Sequence, residues 1–283
     1  MSTQTQTPNP ALLGKKAVKY GFGIVVSIWM LFPIFWMATT GFKRNESIMN
    51  LPPDWLLFDV TLVHYRDLFT EFGFHQFLFN SFLVATGAVL ISVVIGVPAA
   101  YSLSRMDVPR EQDISFWILS TRMIPPLAVL VPLFIFFTTV GLTDSLLGLM
   151  ITHFLITLPM IIWIVKGFID ELPQSLEESA MVDGCNRIQA FREVVVPLVM
   201  PGIAAAAFIG FIFSWNNFLL ALVLTGGGTR TAPLVIQSSM GYLSIDWGML
   251  GAAGTLTILP PVVLSLLIKD HLVEGMTMGA VKE

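Results

Sequence analysis

The chain has 283 residues, 55% of them hydrophobic and only 12% charged, about half the charged share of an ordinary soluble domain. That much apolar surface excludes a water-soluble globule of this length and points to a membrane protein with several spans. The net charge of -4 says nothing of partners because the charges sit in the loops, no basic, aromatic tract suggests nucleic acid, the single Cys185 excludes an internal disulfide and a cysteine-only metal site, and the scattered histidines show no metal-ligand spacing.

In chain order, Met1–Pro10 is polar and reads as a disordered tail. The apolar run after Lys15, Lys16 and Lys19 is too long for a signal-peptide core and lacks a clear cleavage site, so it reads as a retained first span. A helix needs about 20 apolar residues to cross a bilayer core. The stretches that qualify are Val18–Thr40, Phe77–Leu103, Ile114–Val140, Leu146–Val165, Met200–Thr225 and Met249–Ile268. The predicted fold is therefore all-α, with six transmembrane helices and no β-barrel, since period-2 alternation is absent. Residues 17–275 form the membrane domain, flanked by cytoplasmic tails at 1–16 and 276–283. Positive charge sets the orientation. An inside N-terminus places Lys15, Lys16, Lys19, Arg105, Arg110, Lys166, Arg187, Arg192, Lys269 and Lys282 inside, and leaves only Lys43, Arg44, Arg66 and Arg230 outside. Phe42–His75 is then a long outer loop holding Pro52, Pro53 and Trp55, folded or interfacial, and Gly141–Ser145 is a tight outer turn. No internal repeat is visible.

The longest inner segment, 166–199, carries its own helical grammar. Asp170 suits an N-cap and Pro173 a first turn. Leu176, Ala180 and Met181 make one short apolar stripe, with Glu177, Glu178 and Asp183 polar around it. Gly184 then breaks the helix, and a second helix starts near Asn186, with Asp183 as its preferred cap. The stripe is too short to anchor in lipid and suits a groove on another protein.

Elsewhere, Arg122 is an intramembrane charge, which is costly and faces protein or water. It either lines a pathway, bonding hydroxyls or an anionic group through its fork, or pairs with carbonyls freed by Pro125 and Pro126, or snorkels inward. Asn216 and Asn217 suit a polar cavity or interhelical bonding equally, and Trp215 and Phe218 suit a sugar face or packing. His153 reads as a helix–helix polar contact. Thr225–Thr231, "TGGGTRT", lacks the Lys-Ser/Thr that completes a phosphate loop. No catalytic set and no metal site is expected.

The stretch from Glu178 to Gly184, "ESAMVDG", followed by Phe191 and Pro197, resembles the EAA loop of bacterial ABC importer permeases, with Ser179 in place of the first alanine. The "SWNNFLLAL" segment at Ser214–Leu222 and the tail "HLVEGMTMGAVKE" resemble the carbohydrate-importer branch, the tail in particular the second permease subunit of maltose-type systems. The resemblance covers nearly the whole chain. It implies pairing with a second permease subunit. It also implies that Leu176, Glu178, Ser179, Ala180, Met181, Asp183 and Gly184 dock into a cytoplasmic ATPase dimer, which alone binds ATP and Mg. The tail is expected to contact that ATPase pair as well. A substrate-binding protein delivers a sugar outside, and the loop holding Gly226, Gly227 and Gly228 is expected to reach into its cleft. Arg122, Trp215, Asn216 and Asn217 become pathway candidates. The alternatives are an ion-coupled secondary transporter, which would predict paired repeats with broken helices, and an intramembrane enzyme, for which the spans hold no acid pair or facing Ser and His.

Overall fold

The computed structural model describes residues 10–238 and 245–278, and among them the chain is helical without a strand. The elements are α1 (Pro10–Thr40), α2 (Asn45–Ile48), α3 (Val63–Thr70), α4 (Phe74–Arg105), α5 (Glu111–Ser120), α6 (Pro126–Thr139), α7 (Leu146–Glu171), α8 (Ser175–Val182) and α9 (Arg187–Ala190). They continue as α10 (Val196–Leu198), α11 (Met200–Trp215), α12 (Leu219–Leu224), α13 (Ala232–Ser238) and α14 (Trp247–Met278). A 3₁₀ turn, Thr121–Met123, follows α5, and a π-helical turn, Phe191–Val195, joins α9 to α10.

Among the described residues, four helices are long and apolar enough to cross a membrane, in the stretches Val18–Thr40, Phe74–Arg105, Leu146–Glu171 and Trp247–Lys269. The other two predicted spans are not straight. Glu111–Met123 and Pro126–Thr139 meet at 90°, and Arg187–Leu198 and Met200–Trp215 at 71°. The first break corrects the continuous span expected over 114–140. Pro125 and Pro126 both lack an N–H, and a residue before proline is pushed out of the helical region. Ile124 accordingly takes φ -68, ψ 124. The second bend lies just ahead of the expected fifth span, 200–225, and that span is itself broken at Asn216–Phe218, between α11 and α12. Pro33, Pro98, Pro132 and Pro159 instead lie inside continuous helices.

The described residues fall into two compact units. One holds 10–71 and 245–256. Here the predicted outer loop is folded: α2, α3 and a single antiparallel bridge between Lys43 and Val60 give it shape. Trp55 packs on Phe32 and Trp36 of α1, with ring centroids 5.6 and 5.4 Å away. Lys43, one of the four basic residues assigned to the outer side, is 1% exposed. Its ammonium sits 4.3 Å from the Trp36 ring centre and 5.1 Å from that of Phe58, and burial holds its pKa below the usual lysine value. The start of α14 crosses the end of α1 through glycines. A Cβ on Gly251 would stand 2.8 Å from both the Gly41 nitrogen and the Met37 carbonyl oxygen.

The second unit holds 72–238 and 257–278. Its core is the packing of α4, α7 and α11, lined by Val97, Ala100, Ile161, Val165, Ile203 and Ala206. Small residues allow the close crossings, as is usual between helices in a membrane. A Cβ on Gly96 would meet Ile161, and one on Gly202 would enter the Phe168 ring. Buried polar groups close on one another across these helices. Ser92 and Thr157 share a 2.6 Å hydrogen bond, as do His153 Nδ1 and the Ser214 hydroxyl, so His153 is the helix–helix contact expected of it, while a Ser and a His do face each other inside the spans, against expectation, with His153 Nε2 bonded to no acid.

Candidate functional site

The segment between α7 and α11 folds as a helix, a turn and a second helix. The boundaries differ from the expected ones. α7 continues to Glu171, so Asp170 lies inside it, bonded to Lys166 at 2.8 Å and to the Ser104 hydroxyl, and caps nothing. Pro173 precedes the helix rather than opening it, and Gln174 is the N-cap of α8. α8 ends at Val182 with Asp183 as its C-cap, and Gly184 follows with φ +98. That value belongs to the left-handed region, where a Cβ costs about 1–2 kcal/mol. Asn186, not Asp183, caps the second helix, in a reciprocal box with Gln189: the Asn186 side chain accepts from the Gln189 N–H at 2.9 Å, and the Gln189 side chain accepts from the Asn186 N–H at 2.8 Å.

The stripe faces outward. Leu176 and Met181 are 43% and 39% exposed, Ala180 is half-buried, and Glu178, Ser179 and Asp183 are exposed. The residue turned inward is Glu177. Its carboxylate accepts from Arg105 Nε at 2.6 Å and from the Tyr101 hydroxyl at 2.8 Å. Arg105 Nη2 donates to the carbonyls of Ile169 and Leu172, at 2.7 Å each. One guanidinium thus ties the end of α4 to the last turn of α7 and to α8, with both charged side chains under 10% exposed. Tyr101 also packs on Phe191, the first residue of the π-turn, at a 4.6 Å centroid distance. Sequence reasoning does not find this group. The available signal was that Glu177 shares a helix face with Ala180 and Met181, three and four residues on.

The second region lies at the breaks. Arg122 sits in the 3₁₀ turn, half-buried, and its Nη1 donates to the Ile156 carbonyl on α7 at 2.6 Å. This carbonyl pairing is of the kind foreseen, but with a neighbouring helix rather than with groups freed by Pro125 and Pro126. The guanidinium carbon lies 4.9 Å from the Phe213 ring centre. Asn216 is exposed and donates to the Ile212 carbonyl at 2.9 Å, while Asn217 accepts from the Leu220 N–H in the first turn of α12 at 3.1 Å. Trp215 does not join them. It is 2% exposed, stacks on Phe211 at 5.4 Å and donates its indole N–H to the Thr257 carbonyl at 3.2 Å. It is core, which removes it from the pathway candidates, and the overlooked Phe213, 50% exposed, takes its place.

The glycine loop is pinned at its root. The Asp144 carboxylate accepts from the Gly226 N–H at 2.7 Å and from the Thr229 hydroxyl, and Asn80 donates to the carbonyls of Gly228 and Arg230 at 3.0 and 2.9 Å. Gly227 and Gly228 are exposed and border open space, so a contact from outside meets no obstacle there. The hydrogen bonds from Thr229 and Gly226 hold the Asp144 pKa below its ordinary 3.8. A depressed carboxylate contributes its tether above the unfolded value and loses it as pH falls through the folded one. The loop root is therefore expected to stay closed above about pH 4. Asp144→Ala, which removes the acceptor, is expected to open it at all pH values, read as faster tryptic cleavage after the exposed Arg230 in the purified protein.

Of the tail predicted to make a contact, 276–283, the last five residues lie outside the described ones. Among the described residues no group of three or more His, Cys, Asp or Glu is placed to hold a metal ion.

Residues 92–278 match the family model described as the binding-protein-dependent transport system inner membrane component. The chain is 32% identical over 284 residues to the sulfoquinovosyl glycerol transport system permease protein SmoH of Agrobacterium fabrum, covering 100% of both chains. It is also 32% identical over 260 residues to the diacetylchitobiose uptake system permease protein DasC of Streptomyces coelicolor, covering 92% of this chain and 94% of the relative. The fold is shared with a chain of a bacterial ABC transporter involved in the import of the acidic polysaccharide alginate, at TM-score 0.76 and 20% identity, over 95% of this chain and 100% of that one. With an all-helical fold, up to six spans and the helix–turn–helix between α7 and α11, the chain belongs to the family of binding-protein-dependent transport system inner membrane components, the permease subunits of ABC importers.

Proposed function

We propose that this permease passes a sugar or sugar derivative across the cytoplasmic membrane, driven by ATP hydrolysis in a separate ATPase dimer that docks on α8. The observation that carries the proposal is the pairing of two exposed apolar side chains, Leu176 and Met181, with a buried anchor, Glu177–Arg105, on one short helix. A free surface helix needs no buried ion pair. A helix that must pass force from a docked partner into the spans needs one, because a compliant joint would absorb the stroke. Two relatives whose names assign them to glycoside uptake support the sugar class. The chain has no nucleotide-binding loop of its own, so ATP and Mg belong to the partner and no catalysis to this subunit. A second permease subunit completes the path. The binding protein meets the opposite side, where the tip at Gly227 and Gly228 is presented.

The distribution of basic residues supports a cytoplasmic position for both termini and α8. In a Cys185→Ala background, a cysteine at Asn50 is expected to react with an impermeant maleimide in intact cells and one at Asn186 only after lysis. Labelling of Asn186 from outside would reverse the orientation. In proteoliposomes holding the two permeases and the ATPase, sugar-loaded binding protein is expected to stimulate hydrolysis. Hydrolysis indifferent to the binding protein would remove the coupled-import reading.

A further inference from the structure

We propose that Arg122, Phe213 and Asn216 form a substrate contact in the translocation path, suited to a pyranose that carries an anionic group such as a carboxylate or sulfonate. This rests on the import reading above and adds the substrate class.

Depth comes first. Arg122 is bonded to Ile156, ten residues into the 26-residue α7. At about 1.5 Å per residue that is roughly 15 Å from the nearer end, mid-way through a hydrocarbon core about 30 Å thick. A cation there costs about 2.5–3.5 kcal/mol on insertion scales and faces protein or water rather than lipid. Headgroup phosphates are out of reach at that depth.

Partners come next. One N–H of the guanidinium goes to the Ile156 carbonyl, and the plane rests against Phe213. Among the described residues no carboxylate pairs with Arg122. The remaining donors of the fork are oriented by these two contacts and still require acceptors. A planar anion bound through two parallel hydrogen bonds meets that requirement.

The surroundings suit a wet path. Arg122 sits at the 90° break between α5 and α6, and Asn216 at the break between α11 and α12. Non-helical backbone at membrane depth is tolerated only where it is covered by protein or lines a water-filled cavity. Phe213 and Asn216 are three residues apart and share one helix face, so the exposed amide lies beside the ring that carries the guanidinium. Asn216 spends its NH₂ group on Ile212, which leaves its amide oxygen to accept from a sugar hydroxyl. Cation, amide and apolar ring edge are the three groups that a charged pyranose offers partners for.

The test uses the assembled transporter in lipid nanodiscs, with glucuronate and glucose as probes. They share a ring and differ by a carboxylate. Saturation-transfer NMR is expected to show binding of glucuronate in excess of glucose. Losing a charge-assisted hydrogen-bond pair is worth about tenfold in affinity or more, so Arg122→Gln is expected to reduce the glucuronate signal by about that factor. Phe213→Leu, which keeps apolar volume but frees the guanidinium, is expected to weaken it too, and Arg122→Lys to restore it only in part. Equal binding of the two sugars, or a glucuronate signal unchanged in Arg122→Gln and Phe213→Leu, would overturn the site. So would dissociation of the second permease from Arg122→Gln, which would assign the fork to a carboxylate of that partner. Co-purification of the ATPase with the wild type and both variants separates the two levels: if it persists, the importer reading stands whatever the fate of the site.

Discussion

Arg105→Ala is expected to uncouple the transporter, with ATPase either absent from the purified complex or hydrolysing without sugar uptake. The substitution leaves the Glu177 carboxylate buried without its cation, a change that costs about 3–5 kcal/mol where an ion pair is broken from one side. It also leaves the Ile169 and Leu172 carbonyls without their shared donor. The three joints made by one guanidinium fail together, so α8 loses its fixed angle against α4 and α7. Glu177→Gln is expected to be milder. The amide still accepts from Tyr101 or Arg105, and Arg105 keeps its two carbonyls. The informative variant is the double replacement Arg105→Met with Glu177→Leu. Replacing both members of a buried pair by apolar groups is often neutral for stability, so thermal stability is expected to recover while coupling does not. If uptake recovered as well, the pair would be a folding element with no part in transmission. Glu178→Gln, at an exposed position one residue on, is expected to leave heat stability unchanged and to act on docking alone.

Gly251→Val is expected to have the second large effect, on the unit that holds the start of α14. Glycine inside a helix is unfavourable by about 0.5–1 kcal/mol relative to alanine, yet Gly248, Gly251 and Gly254 recur at helical spacing. At Gly251 a Cβ meets backbone on two sides, the Gly41 nitrogen and the Met37 carbonyl oxygen. Backbone cannot step aside, so the crossing of α1 and α14 must widen. Overpacking of this kind costs about 1–3 kcal/mol and occasionally more. At Gly254 the obstacle is the Met37 sulfur, 2.7 Å away at the flexible end of a side chain. Gly254→Ala is therefore expected to shift the melting temperature of the detergent-purified protein little, and Gly251→Val to lower it by several degrees or prevent recovery of the folded chain. Equal effects at the two positions would mean that the crossing is looser than the contacts indicate.

The apolar stretches could be read directly, because hydropathy over about 20 residues reports the bilayer and little else. Gly184 was legible for a similar reason: one residue type fits one backbone conformation. The breaks were not. Pro33, Pro98 and Pro159 are carried inside continuous helices while Pro125 marks a 90° turn, and whether neighbours satisfy the freed groups is decided in three dimensions. Nor was the fate of the aromatic residues in α11. Phe211 and Trp215, four apart, turn to the core, and Phe213 with Asn216 to the other side, in a helix apolar nearly all round that gives the sequence no stripe to follow. Glu177 escapes because its partner is 72 residues away and, in sequence, is simply one more orienting charge at the end of a span.

The π-turn at Phe191–Val195 makes the length of this region matter in whole residues. Such a turn holds one residue more than the α-helix would. Deleting a single residue there would let regular hydrogen bonding resume, and each residue of an α-helix carries about 100° of rotation. Everything before it, from Gly184 back to α8, would then be out of phase with α11 by nearly a third of a turn, with Tyr101 no longer opposite Phe191. Surface connections ordinarily absorb insertions and deletions. Here a single lost codon would aim the docking stripe in a new direction, so descendants of this gene are constrained in loop length as tightly as in any side chain.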